Sequence, residues 1–164
     1  MLSSKYLSIF GIYNFILFIF FSISVNSIES LYFINLFSYA ILHIIIVYLG
    51  FYYYRKFLYL SYFVCGLGLD LLLLNNQIGT HLFLFMILLP VVNISKKYLN
   101  ELNSRIVYWI ILILACIIIS LEMLISHIFF YYDFNYIELL KLIFILLVSA
   151  YPLLFLFSKI DNIK

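Results

Sequence analysis

Apolar positions form six long runs along the chain, separated by short polar breaks. The runs cover approximately residues 6–25, 31–54, 57–74, 78–94, 106–131 and 136–157. Most are near the ~20 residues that an α-helix needs to cross a hydrocarbon layer of ~30 Å. Because backbone groups find no water in lipid, each run is predicted to be a helix. The pattern therefore predicts an all-α polytopic membrane protein with six transmembrane helices in a single domain, residues 1–164.

Composition supports this class of protein. Of the 164 residues, 68% are hydrophobic and only 10% are charged, which leaves too little polar surface for a soluble domain. The net charge of +2 fits contact with anionic membrane lipids and gives no indication of a nucleic-acid surface.

The basic residues predict the orientation in the membrane. Eight of the nine lie at the N-terminus, after the second run, after the fourth run and at the C-terminus: Lys5, Arg55, Lys56, Lys96, Lys97, Arg105, Lys159 and Lys164. The other side holds only Lys141. By the positive-inside rule, both termini are expected in the cytoplasm, with six crossings of the plasma membrane.

Runs three and four are short, have almost no loop between them, and are predicted to form a tight helical hairpin. Asp70 lies about 20 Å along the helix predicted for run three, at a rise of ~1.5 Å per residue. Inserting a charged side chain into the membrane at this depth costs up to roughly 2.5–3.5 kcal/mol. Gly66 shares its face, so a neighbouring backbone can approach there and donate hydrogen bonds to the carboxylate. Alternatively, Asp70 caps the amides that open helix four. The candidate partners are Asn75, Asn76, Thr80 and His81, and both interpretations give Asp70 a structural role.

A second face of helix three carries the small residues Ser61, Cys65 and Gly68. It is either a seam for another membrane protein or, more commonly, a surface that packs against the protein's own helices. In run five, Glu122 is expected to snorkel towards the head groups or to be hydrogen-bonded. The spacing of the cysteines and histidines matches no disulfide, metal or catalytic motif, so no catalytic residue, metal or cofactor is predicted.

Gly66, Asp70, Gly79 and His81 form a pattern of glycine, aspartate, short apolar run, polar turn and new helix. This pattern resembles the rod shape-determining protein MreD family of the bacterial cell-elongation machinery. The ending YPLLFLFSKIDNIK, with its aromatic-proline step and basic tail, is also similar to that family.

The resemblance implies a six-helix bundle like the substrate-binding subunit of energy-coupling-factor transporters. It also implies a non-catalytic scaffold in the bacterial inner membrane. The implied partners are MreC, the glycan polymerase RodA with its penicillin-binding transpeptidase, and indirectly the MreB filament.

Two other classes of function are open. A vitamin-transporter subunit would line an outward-facing pocket with polar and aromatic side chains, for which the residues around Asp70 are candidates. However, helix one lacks the small-residue surface with which such subunits dock on their coupling partner. A membrane-embedded phosphoryl-transfer enzyme would need several carboxylates for Mg²⁺, which the helices lack. The sequence thus favours the scaffold, with the transporter subunit as the alternative.

Overall fold

The computed structural model describes residues 4–25, 32–53, 56–73, 79–99, 104–130 and 135–161. These residues form six helices: α1 (Ser4–Ser24), α2 (Tyr32–Tyr52), α3 (Lys56–Leu73), α4 (Thr80–Leu99), α5 (Ser104–Phe130) and α6 (Tyr136–Asp161). The all-helical prediction is confirmed, and most helix ends lie within two residues of the apolar runs. The main differences are the C-terminal ends of α4 and α6, which continue past the apolar residues because polar residues can extend a helix beyond its apolar part.

Helix α2 is the centre of the fold. Every residue from Ala40 to Phe51 is buried, on all sides of the helix. A helix that is apolar all round is expected to be enclosed by other elements, and α2 packs against each of the other five helices.

Hydrogen bonds show that α2 and α6 run in the same direction, because their first residues meet at one end of the bundle and their last residues meet at the other. At one end, Tyr32 at the start of α2 donates to Glu138 at the start of α6. At the other end, Tyr53 after α2 donates to Asp161 at the end of α6. We call the end with Glu138 the upper end and the end with Asp161 the lower end.

Three stretches in the described part of the chain are long and apolar enough to cross a membrane: Tyr32–Tyr52, Ile106–Phe129 and Tyr136–Asp161. Helices α1 and α4 contain the shorter apolar stretches Ile9–Ser24 and Thr80–Ser95. These features fit a membrane protein.

Helices α3 and α4 make the predicted hairpin, and its closest contact is at Gly66. A Cβ atom on Gly66 would lie 2.7 Å from the Cα atom of Leu82, far inside normal contact distance. The glycine is required here because a backbone, which cannot rotate away like a side chain, occupies the space.

The face formed by Ser61, Cys65 and Gly68 packs against α1. Ser61 Oγ donates to Asn14 Oδ1 over 2.8 Å, Cys65 is fully buried, and a Cβ on Gly68 would meet the ring of Phe21. Of the two interpretations of this face, packing within the protein is the one found, so it is not a free seam for a partner.

The glycine contacts predict the effect of added methyl groups. Gly66→Ala should lower the free energy of unfolding by about 1–3 kcal/mol, because the α4 backbone has to move. Gly11→Ala is the matched control, since among the described residues no atom beyond its chain neighbours and its own helix backbone lies within 4 Å of its Cβ position, and alanine favours a helix. Thermal unfolding of the purified proteins in one detergent checks this. Equal midpoints for the two variants would contradict the close approach at Gly66.

Candidate functional site

Asp70 caps helix α4 from the neighbouring helix α3. Its Oδ2 accepts hydrogen bonds from the Gly79 amide at 2.9 Å and the Leu82 amide at 3.1 Å. Its Oδ1 accepts one from the His81 amide at 2.9 Å. The first amides of a helix have no partner inside it, and a carboxylate there also interacts favourably with the helix dipole. The structure therefore has the predicted capping interaction. It also has the close backbone approach expected at Gly66, because the Leu82 backbone that donates to Asp70 is the one that lies against Gly66.

Gly79 makes the cap possible. Its φ of 144° is positive, a conformation that glycine adopts at little cost. This turn brings the Gly79 amide within reach of Asp70.

His81 joins this cap to helix α2. Its Nδ1 lies 2.8 Å from Asp70 Oδ1, and its Nε2 lies 2.9 Å from the Tyr39 hydroxyl. Tyr39 in turn donates to Glu122 Oε2 on α5 over 2.6 Å. One chain of polar contacts thus connects four helices.

This series of polar contacts ends at His43 on α2. His43 Nε2 lies 2.9 Å from Glu122 Oε1, and its Nδ1 lies 2.8 Å from the backbone oxygen of Tyr39. Glu122 is only 2% exposed, so it is hydrogen-bonded inside the protein and does not snorkel. We call Asp70, His81, Tyr39, Glu122 and His43 the upper network.

The protons in the upper network can be counted from its geometry. Five contacts link its members: Asp70–His81, His81–Tyr39, Tyr39–Glu122, Glu122–His43 and His43 to the Tyr39 carbonyl. Each contact needs one proton between its two atoms. Two carboxylic acids carry two such protons, two neutral imidazoles carry two more, and one phenol carries the fifth. The fully bonded network is therefore electrically neutral overall, although its protons can be arranged as two ion pairs.

This neutrality explains why two acids can be buried here. An isolated charge in such a place is very costly, whereas paired and fully hydrogen-bonded groups are tolerated. Asp70 and His43 are 0% exposed and His81 is 4% exposed, so a substrate has no access to them. The arrangement is suited to fixing α2, α3, α4 and α5 against one another.

A second polar cluster lies at the lower end and involves Asp161. Its Oδ1 accepts hydrogen bonds from Tyr13, at 2.8 Å, and from Tyr53, and its Oδ2 accepts one from Tyr48. Tyr13 also lies 3.0 Å from the backbone oxygen of Phe157. We call Asp161, Tyr13, Tyr48 and Tyr53 the lower cluster; it ties α1 and α2 to the end of α6.

Sequence reasoning missed Tyr39, the pairing of His43 with Glu122, and the lower cluster. Tyr39 and His43 are four residues apart and share a helix face, which was a usable signal. Asp161 is one turn beyond the buried Phe157 on the same face, but the predicted helix ended at residue 157.

The sequence also predicts Asn75, Asn76 and Thr80 as partners of Asp70. Asn75 and Asn76 lie outside the described residues. The Thr80 hydroxyl is buried and has no hydrogen-bond partner within the part of the chain that the structure describes. In that same part, no three His, Cys, Asp or Glu side chains are grouped as a metal site would require.

In comparisons with known proteins, no family model, curated protein or solved structure matches the chain.

The proton count predicts how Glu122 tolerates substitution. Glu122→Gln can still accept from Tyr39 and can donate an amide N–H to a neutral His43, so the network stays complete. Glu122→Leu leaves His43 Nε2 unpaired and should lower the free energy of unfolding by roughly 1–3 kcal/mol. Glu138→Leu is the matched control, because the hydrogen bond it removes is exposed. Thermal unfolding in detergent measures all three. Equal losses in the Gln and Leu variants would show that an ionised carboxylate is needed.

Proposed function

We propose that this protein is a non-catalytic membrane scaffold of the bacterial cell-elongation machinery, as its resemblance to the MreD family implies. The observation that supports a scaffold most strongly is the closure of the upper network. Its carboxylates and imidazoles bind one another and the start of α4, and its acids and histidines are at most 4% exposed. The polar groups that a catalytic or transport site would use at this end are occupied in holding helices together.

The same observation weighs against the alternative, a vitamin-transporter subunit. Such a subunit needs an outward-facing pocket, for which the upper end was the candidate. Asp70, His81 and Glu122 are packed together there and leave their polar atoms facing each other.

The proposal includes six membrane crossings, a bundle like that of energy-coupling-factor substrate-binding subunits, and both termini in the cytoplasm of a bacterial inner membrane. The meeting of Tyr53 with Asp161 supports it, because it brings the start of α3 and the end of α6 to the same, lower end. Lys56 and Lys159 are exposed there, as the positive-inside rule expects of a cytoplasmic face.

Cysteine labelling tests this orientation. In a chain without Cys65 and Cys116, single cysteines at Lys56 and Lys159 should be protected from an impermeant thiol reagent in intact cells. A cysteine at Asn135, which is exposed near the upper end, should react. Permeabilised cells provide the control, because all three positions should then react. Labelling at Lys159 in intact cells would overturn the orientation.

A lateral scaffold needs an apolar face left free by its own bundle, and among the described residues α6 has a strongly exposed one. Leu140, Phe144, Val148 and Tyr151 are 61–70% exposed and recur every three to four residues, so they form one ridge. Association between helices in a membrane depends on close packing of shape, because lipid already solvates apolar groups. We place the partner seam on this α6 ridge.

A pull-down tests the scaffold and its seam. The tagged protein should retain MreC in mild detergent, together with RodA and its transpeptidase, and MreB indirectly. Val148→Trp should reduce MreC recovery several-fold, because a bulky ring prevents close packing on the ridge. Ile117→Trp, on the exposed side of α5, is the matched control and should retain MreC.

Depletion in a rod-shaped host should give round cells. Failure of the wild-type protein to retain MreC, together with recovery of an ATPase-driven coupling subunit, would overturn the scaffold and favour the transporter. Loss of MreC in the Ile117→Trp variant alone would move the seam to α5.

A further inference from the structure

A cavity of about 670 Å³ lies between α2, α5 and α6 near the lower end. Six aromatic side chains line it together with the carboxylate of Asp161: Tyr48, Tyr52, Tyr108, Trp109, Tyr151 and Phe155. Its volume is in the range of about 300–1,000 Å³ that is typical of small-molecule sites. Neither the upper network nor the α6 ridge accounts for this combination of rings and one acid.

The acid gives the cavity wall a net negative charge. Three tyrosine hydroxyls donate to Asp161, but they are neutral and leave the charge of the carboxylate in place. Within the described part of the chain, these donors take three of the roughly four acceptor positions of the carboxylate. Among the described residues, no basic side chain forms an ion pair with Asp161, and the Lys159 ammonium lies 4.7 Å from the centre of the Phe155 ring.

The rings favour the same kind of ligand. Aromatic faces attract cations, and several faces around one space bind ammonium groups well. Tyr108 meets Trp109 at 86° and Tyr151 at 71°, so the rings form a corner and not a flat stack. A positive group in this corner would have aromatic faces and a carboxylate around it.

The surroundings favour a ligand that also has an apolar part. Trp109 is 57% exposed and Tyr151 is 70% exposed, so these cavity walls continue onto the outer surface of α5 and α6. Leu154 and Phe155 provide an apolar wall beside Asp161. In a membrane, lipid chains would lie against this surface.

We propose that this cavity binds the ammonium head of an amphipathic amine, with an amine-headed phospholipid as the favoured source. The ammonium group sits among the rings and donates to Asp161, while the apolar chain follows Leu154 and Phe155. The site does not depend on the scaffold function, since it shares only Tyr151 with the α6 ridge and lies at the opposite end of the molecule from the upper network.

Trp109 reports directly on the cavity, because it is the only tryptophan in the chain. The full-length protein is placed in nanodiscs of phosphatidylglycerol, and phosphatidylethanolamine is substituted stepwise while Trp109 emission is recorded. We expect a saturable change. In Asp161→Asn the midpoint should rise by about tenfold or more, because the charge is lost, whereas Glu138→Gln, at the other end of α6, should match the wild type.

A second pair of variants covers the case in which Asp161→Asn does not fold. Tyr151→Leu removes one exposed ring and leaves the lower cluster intact, so it should weaken the response several-fold. Phe144→Leu is its matched control on the same helix, outside the cavity lining.

A separate arm identifies the source of the amine. Dissolved glycerophosphoethanolamine carries the same head without acyl chains, so a weaker or absent response to it supports a lipid ligand. An equal response to it supports a soluble amine at the same site. An absent Trp109 response in both arms, or the same midpoint in the wild type, Asp161→Asn and Tyr151→Leu, would overturn the proposal.

Discussion

The fold depends on the need to pair every buried polar group inside an almost wholly apolar bundle. Tyr39 is the residue at which this requirement is concentrated, since its hydroxyl contacts both His81 and Glu122 and its carbonyl contacts His43. Contacts between apolar side chains have little directional preference. Many packings of six apolar helices would therefore bury similar surface areas. A network in which every polar contact has to be made at once restricts which of these packings is allowed. The position of α2 against α4 and α5 follows from this condition.

The two ends of α2 meet this requirement by different means. The upper network combines acids with imidazoles and a helix end, and it is neutral as a whole. The lower cluster combines one acid with three neutral hydroxyls, so a negative charge remains next to an aromatic cavity. This difference assigns them different roles. The upper end is closed and holds helices together, whereas the lower end has charge and space available for a ligand.

The proposed scaffold function and the proposed lipid site are physically compatible. Its interior is fixed by polar contacts, so its outer helix faces keep a constant shape for lateral partners. Helix α6 carries both the α6 ridge and part of the cavity lining, and Tyr151 belongs to both. A lipid in the cavity would therefore lie beside the proposed partner seam.

The sequence alone determined the helices and one of the polar sites. Runs of apolar residues fix helical segments because a buried backbone must bond to itself. Gly66, Asp70 and Gly79 are close along the chain, so the cap on α4 could be anticipated from local spacing. The extra turns of α4 and α6 escaped prediction because helix length there is not set by hydropathy.

Only the tertiary structure decided which distant polar residues meet. Glu122 is 83 residues from Tyr39 and Asp161 is 148 from Tyr13, and helical periodicity gives the face of a residue but not the helix opposite it. The same limit applied to the face of Ser61, Cys65 and Gly68, whose small side chains would suit an internal or an external neighbour. Its contact with α1 follows from how the six helices share their surfaces, and that depends on all of them at once.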